Sequence, residues 1–167
     1  MKKFGILLIV LVGFAVNSFG QSATANATAT AKIVTPIAIA KVTNMNFGSI
    51  ASAASSGTVV LTPAGARSAT GGASLVTVGT VSAASFNVTG DGNSTYAITL
   101  PASVDLVDGA SHTITADTFT STPTVGDGGT LSSGSQTLTV GATLNIGASQ
   151  AAGAYTSGNF VVTVAYN

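Results

Sequence analysis

Hydrophobic and polar residues alternate along most of this chain with a period of two. The clearest run is Phe160 to Tyr166. Phe160, Val162, Val164 and Tyr166 share one face, and Val161, Thr163 and Ala165 share the other, so the pattern predicts a β-strand. Lys32 to Val42 predicts another strand, interrupted by Pro36, with Ile33, Ile37 and Ile39 facing inward. Proline lacks an N–H and marks an edge, a bulge or a change of sheet. Met45 to Ile50 follows and ends at a turn of small residues. Thr58–Thr62 and Ala73–Val81 predict two more strands, separated by a Gly/Ala-rich loop, Pro63 to Gly72.

Ala84 to Leu100 predicts a hairpin. A two-residue Asp91-Gly92 loop would put Phe86 and Tyr96 on opposite faces. A three-residue loop, Gly90-Asp91-Gly92, puts them on the same face, with Gly92 as the left-handed residue. The second form is expected, because a one-residue slip turns the core side outward. Val104–Val107 and Thr113–Phe119 predict a second hairpin around Asp108 to Ser111. A loop with Pro123 spans Ser121 to Gly129, and Gln136–Val140 and Thr143–Ile146 read as two short strands around Gly141-Ala142. About ten short strands at roughly ten-residue spacing, with Gly/Asp turns and no helical period, predict an all-β chain folded as an antiparallel β-sandwich.

Both ends of the pattern need separate treatment. Lys2 and Lys3 precede an apolar run, Ile6 to Val16, and Ser18 and Gly20 are small. Residues 1–20 therefore read as a signal peptide cut between Gly20 and Gln21, with a start of bacterial type. The expected location is exported: periplasm, cell surface or extracellular space. Residues 21–167 suit one domain. Within it, residues 21–32 alternate alanine with Thr, Asn and Lys, but their apolar face is only methyl groups and buries little. They read either as a frayed leader or as a strand that pairs through its backbone.

Composition narrows the function classes. Residues 21–167 hold Lys32, Lys41 and Arg67 against five aspartates and no glutamate, so their net charge is −2. No basic patch exists to hold nucleic acid. Without cysteine, thiolate zinc sites and thiol chemistry are excluded. Tryptophan is absent and tyrosines number three, which argues against an aromatic sugar platform and against the girdles of an outer-membrane barrel. Most strands are also shorter than the about 9–11 residues of a barrel span. No stable transmembrane segment is expected after signal removal.

No catalytic, cofactor-binding or metal-binding residue set is found, and an enzyme is not expected. His112 is the sole histidine and sits beside a turn, with no Gly-x-Ser-x-Gly elbow in the chain. Asp105, Asp108 and Asp117 lie in or near a hairpin turn, where aspartate is ordinary turn chemistry. Asp91-Gly92-Asn93 lacks the alternating acidic ligands and closing glutamate of a calcium loop. Three Asn-x-Thr sequons begin at Asn26, Asn87 and Asn93, as a Thr- and Asn-rich chain gives by chance.

Met45-Asn46-Phe47-Gly48-Ser49-Ile50 follows an Ile/Ala strand, and Gly153-Ala154-Tyr155-Thr156-Ser157-Gly158 leads into Val162 to Tyr166. In order and spacing these stretches resemble the secreted bacterial family termed domain of unknown function 4402, over nearly all of residues 24–167. That family is similar to spore coat U and archaic chaperone–usher pilin domains, which share an Asn-Phe-Gly motif and a C-terminal alternating strand with a tyrosine near its end. The resemblance implies an immunoglobulin-like sandwich of about 7–10 strands that lacks one strand, filled by a neighbour's N-terminal extension. It implies that residues 21–32 are that extension and that Phe160–Tyr166 borders the acceptor groove. In the alternative, residues 21–32 complete their own sandwich. The expected role is an exported structural or surface protein, fimbrial-subunit-like, with itself or other surface subunits as partners. The competing expectation is a monomeric module binding a glycan or matrix ligand through loops such as 63–72 or 121–129.

Overall fold

A computed structural model of the chain describes residues 20–167. The expected signal peptide, residues 1–20, lies outside the described residues except for Gly20. The chain divides into two compact units, Met1–Lys32 and Ile33–Asn167. In the first, residues 20–32 form no strand and are exposed at every position.

The second unit is all-β. Its strands are β1 (Ala38–Thr43), β2 (Ile50–Leu61), β3 (Arg67–Leu75), β4 (Ala84–Thr89), β5 (Thr95–Thr99), β6 (Ser103–Val107), β7 (Thr113–Thr122), β8 (Gly129–Thr130), β9 (Ser135–Ile146), β10 (Thr156–Ser157) and β11 (Thr163–Tyr166). Every ladder is antiparallel. One sheet runs β1-β4-β9-β7-β6-β10 with β2 and β3 joined through β9, and a small sheet runs β11-β5-β8.

Strand β9 is the spine. Leu138, Val140, Ala142, Leu144 and Ile146 are buried on one face, while Thr137, Thr139, Thr143 and Asn145 alternate on the other. The sequence reads as two strands here because Gly141 interrupts the pattern. The chain in fact continues, and Gly141 marks a change of neighbour. Strand β4 pairs with Ser135–Val140 and β2 with Ala142–Ile146, on the same edge. The Leu61–Pro63 backbone passes so close to Gly141 that a Cβ there would strike the Leu61 carbonyl oxygen. On the other edge β7 spans both halves through a bulge between Asp117 and Thr120.

The β6–β7 hairpin forms as the pattern predicts. The Ala84–Leu100 hairpin does not. Strand β4 pairs with β1 and β9, whereas β5 pairs with β8 and β11, so the turn at 90–94 crosses between sheets. Phe86 and Tyr96 still enter one core, but from opposite sheets. Side-chain parity decides which face meets the core and leaves the backbone partner open. Gly92 is left-handed as expected, with φ 45°.

Three other expectations change. The 63–72 loop shrinks to a turn closed by Thr62 N–H to Ala66 O (2.9 Å), because β3 begins at Arg67 and ends at Leu75. The small residues 51–56 extend β2 instead of turning. Ile33, expected inward, is 97% exposed, since the first strand starts only at Ala38, after Pro36.

The small sheet covers only part of the large one. Ala84, Phe86, Val88, Leu138 and Val140 face Tyr96, Ile98, Leu131 and Val162 across the layer. The remaining inner face, with Val59, Leu61, Ile114, Ala116, Leu144 and Ile146, is covered by Phe47 and partly by Met45 and Tyr155 from irregular segments, with Ile50 at the start of β2. Gly141→Ala therefore forces β2 and β9 apart where they diverge. It is expected to lower unfolding free energy by about 1–3 kcal/mol, read as a shift in urea midpoint.

Candidate functional site

The irregular cover leaves a groove of about 1280 Å³ over the inner face of the large sheet. Residues 43–52 form one wall and residues 150–160 the other, and Phe86, Ile114, Leu144 and Ile146 contribute to the lining between them. This volume exceeds the about 300–1,000 Å³ of small-molecule pockets.

The first wall is the Asn-Phe-Gly stretch. Asn46 Oδ1 accepts the Gly48 N–H (2.8 Å), and Gly48 takes φ 69°, which turns the chain and drives Phe47 into the core. Asn46 and Ser82 exchange backbone hydrogen bonds of 2.8 and 3.0 Å. Arg67, the chain's sole arginine, reaches over from β3. Its guanidinium donates to the carbonyls of Phe47, Ser49 (3.3 Å) and Val76 (3.1 Å). A planar fork of donors suits two carbonyls of this bend together with the Val76 carbonyl just past β3.

The second wall is tied down by side chains. Ser52 Oγ donates to Gln150 O (3.0 Å), Gln150 Nε2 to the Tyr155 hydroxyl (2.8 Å), and that hydroxyl to Ala151 O (2.8 Å). Strand β10 then pairs Thr156 and Ser157 with Val107 and Leu106. Phe160 ends the wall and packs edge-on against Phe86, ring centroids 6.5 Å apart, and against Phe119 at 5.6 Å.

Beyond Phe160, where the lining ends, the chain continues into the last strand. Strand β11 pairs with β5 on one edge and, among the described residues, with no strand on the other. Asn167 N–H donates to Thr95 O (3.4 Å), which places 165/97 and 163/99 in hydrogen-bonded register. The N–H and C=O of Val164 and Tyr166 therefore point away from β5. The Tyr166 hydroxyl accepts from Asp91 N–H (2.6 Å) and donates to Thr35 O (2.7 Å), joining the last strand to the β4–β5 turn and to the segment before β1.

The polar residues singled out from the sequence lie elsewhere. His112 Nδ1 stands 2.7 Å from Asp108 Oδ2 in the β6–β7 turn, and Asp108 Oδ1 also accepts the N–H groups of Ala110 (2.9 Å) and His112 (2.8 Å). Asp105 accepts from Thr115 (2.7 Å), while Asp117 accepts from Asn145 (2.9 Å) and Thr118 (3.0 Å). Asp91 and Asn93 serve the turn at 90–94, where Ser94 N–H donates to Asp91 O (3.0 Å) and Ser133 N–H to Asn93 Oδ1 (3.2 Å). Among the described residues, no three His, Cys, Asp or Glu side chains cluster to hold a metal ion, and no helix is long and apolar enough to cross a membrane. The sequence reading missed the clamp of Arg67 and the junction of Tyr166; a single arginine in an almost uncharged chain was the available signal for the first.

The family model described as Domain of unknown function (DUF4402) matches residues 37–166, which takes in both walls of the groove and the last strand. No curated protein and no solved structure matches the chain.

Two outcomes are expected. Arg67→Met frees two carbonyls of the first wall, Phe47 and Ser49, and that of Val76. It should cost about 2 kcal/mol in urea unfolding and speed amide exchange at residues 46–50. The second concerns pH. The hydrogen bond from His112, joined by the backbone N–H groups of His112 and Ala110, holds the Asp108 carboxyl below its usual range. A carboxyl depressed in the folded state stabilises above its unfolded value, about 3.9, and that contribution fades as pH falls through the folded value. Asp108→Asn should thus be less stable than the parent at neutral pH, and the gap in midpoint should close below about pH 4.

Proposed function

The chain belongs to the family described as Domain of unknown function (DUF4402), and on that premise we propose that it is an exported structural protein of the cell surface. In this reading it is fimbrial-subunit-like and assembles by taking up a β-strand, or contributes to adhesion. The observation that carries the reading is the outward edge of β11, which follows in the chain soon after Phe160, the end of one wall of a groove lined in part by Phe86, Ile114, Leu144 and Ile146. Strand addition uses two features together: backbone groups along an edge and depressions for alternate side chains. Val164 and Tyr166 supply the first. The groove beside Phe160 supplies the second. Exposed Val161 (69%), just before the last strand, and Val42 (65%), in the first, add apolar surface to subunit contact. Residues 21–32 suit the incoming strand in their period of two, and their methyl side chains suit shallow depressions. The likeness to spore coat U and archaic pilin domains belongs to the same proposal.

A second reading has one supporting observation. Asn44, Asn46, Gln150 and Asn159 are among the groove-lining residues, and amide side chains suit a neutral hydroxylated ligand such as a glycan. Under that reading the protein is a monomeric binding module.

Residues 21–167 at rising concentration distinguish the two, by unboiled gel electrophoresis and negative-stain microscopy. Ladders or filaments are expected, lost on removal of residues 21–32. Val164→Pro deletes one outward N–H while the register keeps the bonds to β5, so it should abolish the ladders and leave a folded monomer. A single monomer band at every concentration overturns strand addition, and glycan-array binding by that monomer favours the second reading.

A further inference from the structure

The proposed export step creates a new chain end, and the residue placed there has its own chemistry. A cut between Gly20 and Gln21 makes Gln21 the first residue. Gln21 is exposed and lies in a segment, residues 20–32, that forms no strand, so its backbone nitrogen is not held in a ladder. An α-amine titrates near about 7.7–8.0, which leaves a share of it uncharged and nucleophilic near neutral pH. In an N-terminal glutamine that amine reaches its own side-chain carbonyl carbon to close a five-membered ring.

We propose that Gln21 of the exported chain is converted to pyroglutamate. The α-nitrogen forms a bond to Cδ, the bond from Cδ to Nε2 breaks, and the side-chain nitrogen leaves as ammonia, taking a proton from the amine. Neither an oxidant nor any co-reactant is consumed. The product is a neutral lactam, so the positive charge of the new chain end is lost. Residues 21–31 then carry no charge at all, and the first charged group is Lys32.

This inference rests on the proposed export and deepens the proposed assembly. An ammonium at the tip of a segment entering the groove would have to shed part of its water without an anionic partner. Among the described residues the groove lining contributes no carboxylate to receive it, and its one charged residue, Lys41, repels it. Ring closure removes that obstacle before assembly begins.

The test uses the full-length chain, leader included, produced in a bacterial host and recovered from the cell envelope or medium. Intact-mass measurement is combined with stepwise N-terminal sequencing and labelling by an amine-reactive reagent. The expected result is a chain starting at residue 21, lighter than the sum of residues 21–167 by one ammonia, blocked to sequencing and unlabelled at its end. Gln21→Ala should restore a sequenceable, labelled terminus. A chain that starts at Gln21 and keeps a free amine through prolonged incubation overturns the pyroglutamate and leaves export standing. A chain that starts at Met1, even in the envelope fraction, overturns both.

Discussion

One buried face of one strand holds this fold together. The inward side chains of β9, from Leu138 to Ile146, belong to both clusters of the core: Leu138 and Val140 to one, Ala142, Leu144 and Ile146 to the other. Three strands, β2, β4 and β7, pair along β9, and β7 alone accompanies it through both halves. Burying an alternating face excludes a one-residue slip anywhere along it, because every leucine and valine would exchange places with a threonine. The bulge in β7 and the close pass at Gly141 are local adjustments that let this register persist while the neighbours on the other edge change.

The two layers are unequal, and the groove follows from that inequality. The strands β11, β5 and β8 cover the half of the inner face formed by β4 and the start of β9. Over the other half the chain supplies two irregular segments, each stiffened by polar bonds: Arg67 and Asn46 on one side, Ser52, Gln150 and Tyr155 on the other. Irregular backbone needs such partners, since a bend leaves carbonyls and amides that no ladder satisfies. The groove is therefore a gap between two braced walls, with an apolar sheet face between them.

Strand parity was legible in the sequence, and strand partnership was not. Phe160, Val162, Val164 and Tyr166 point inward as their spacing predicts, with Val162 buried and the others partly so. Phe86 and Tyr96 share a core as predicted, yet belong to different sheets, because alternation records a face and carries nothing about the neighbour. Residues 51–56 and 67–72 escaped as strand because Ala, Ser, Thr and Gly leave no periodic signal in hydrophobicity, although backbone pairing needs none. Gly141 did leave a signal, and it marked a change of partner instead of an end. The groove depends on which strands oppose which, so it lay beyond any local pattern. Its one early trace was the Asn46-Phe47-Gly48 stretch, whose buried phenylalanine and left-handed glycine now explain why those residues stand together.

The Tyr166 hydroxyl bridges residues 131 positions apart, from Thr35 to the last strand. Contacts of such separation form late in folding, after the entropy of closing the intervening chain has been met by other pairings. As it is synthesised, the chain can build its hairpins one after another, but the segment before β1 stays unfastened until the distal strand arrives. Completion of the domain is thus timed by the arrival of its last strand, and the tyrosine acts as a clasp that closes only once that strand is made.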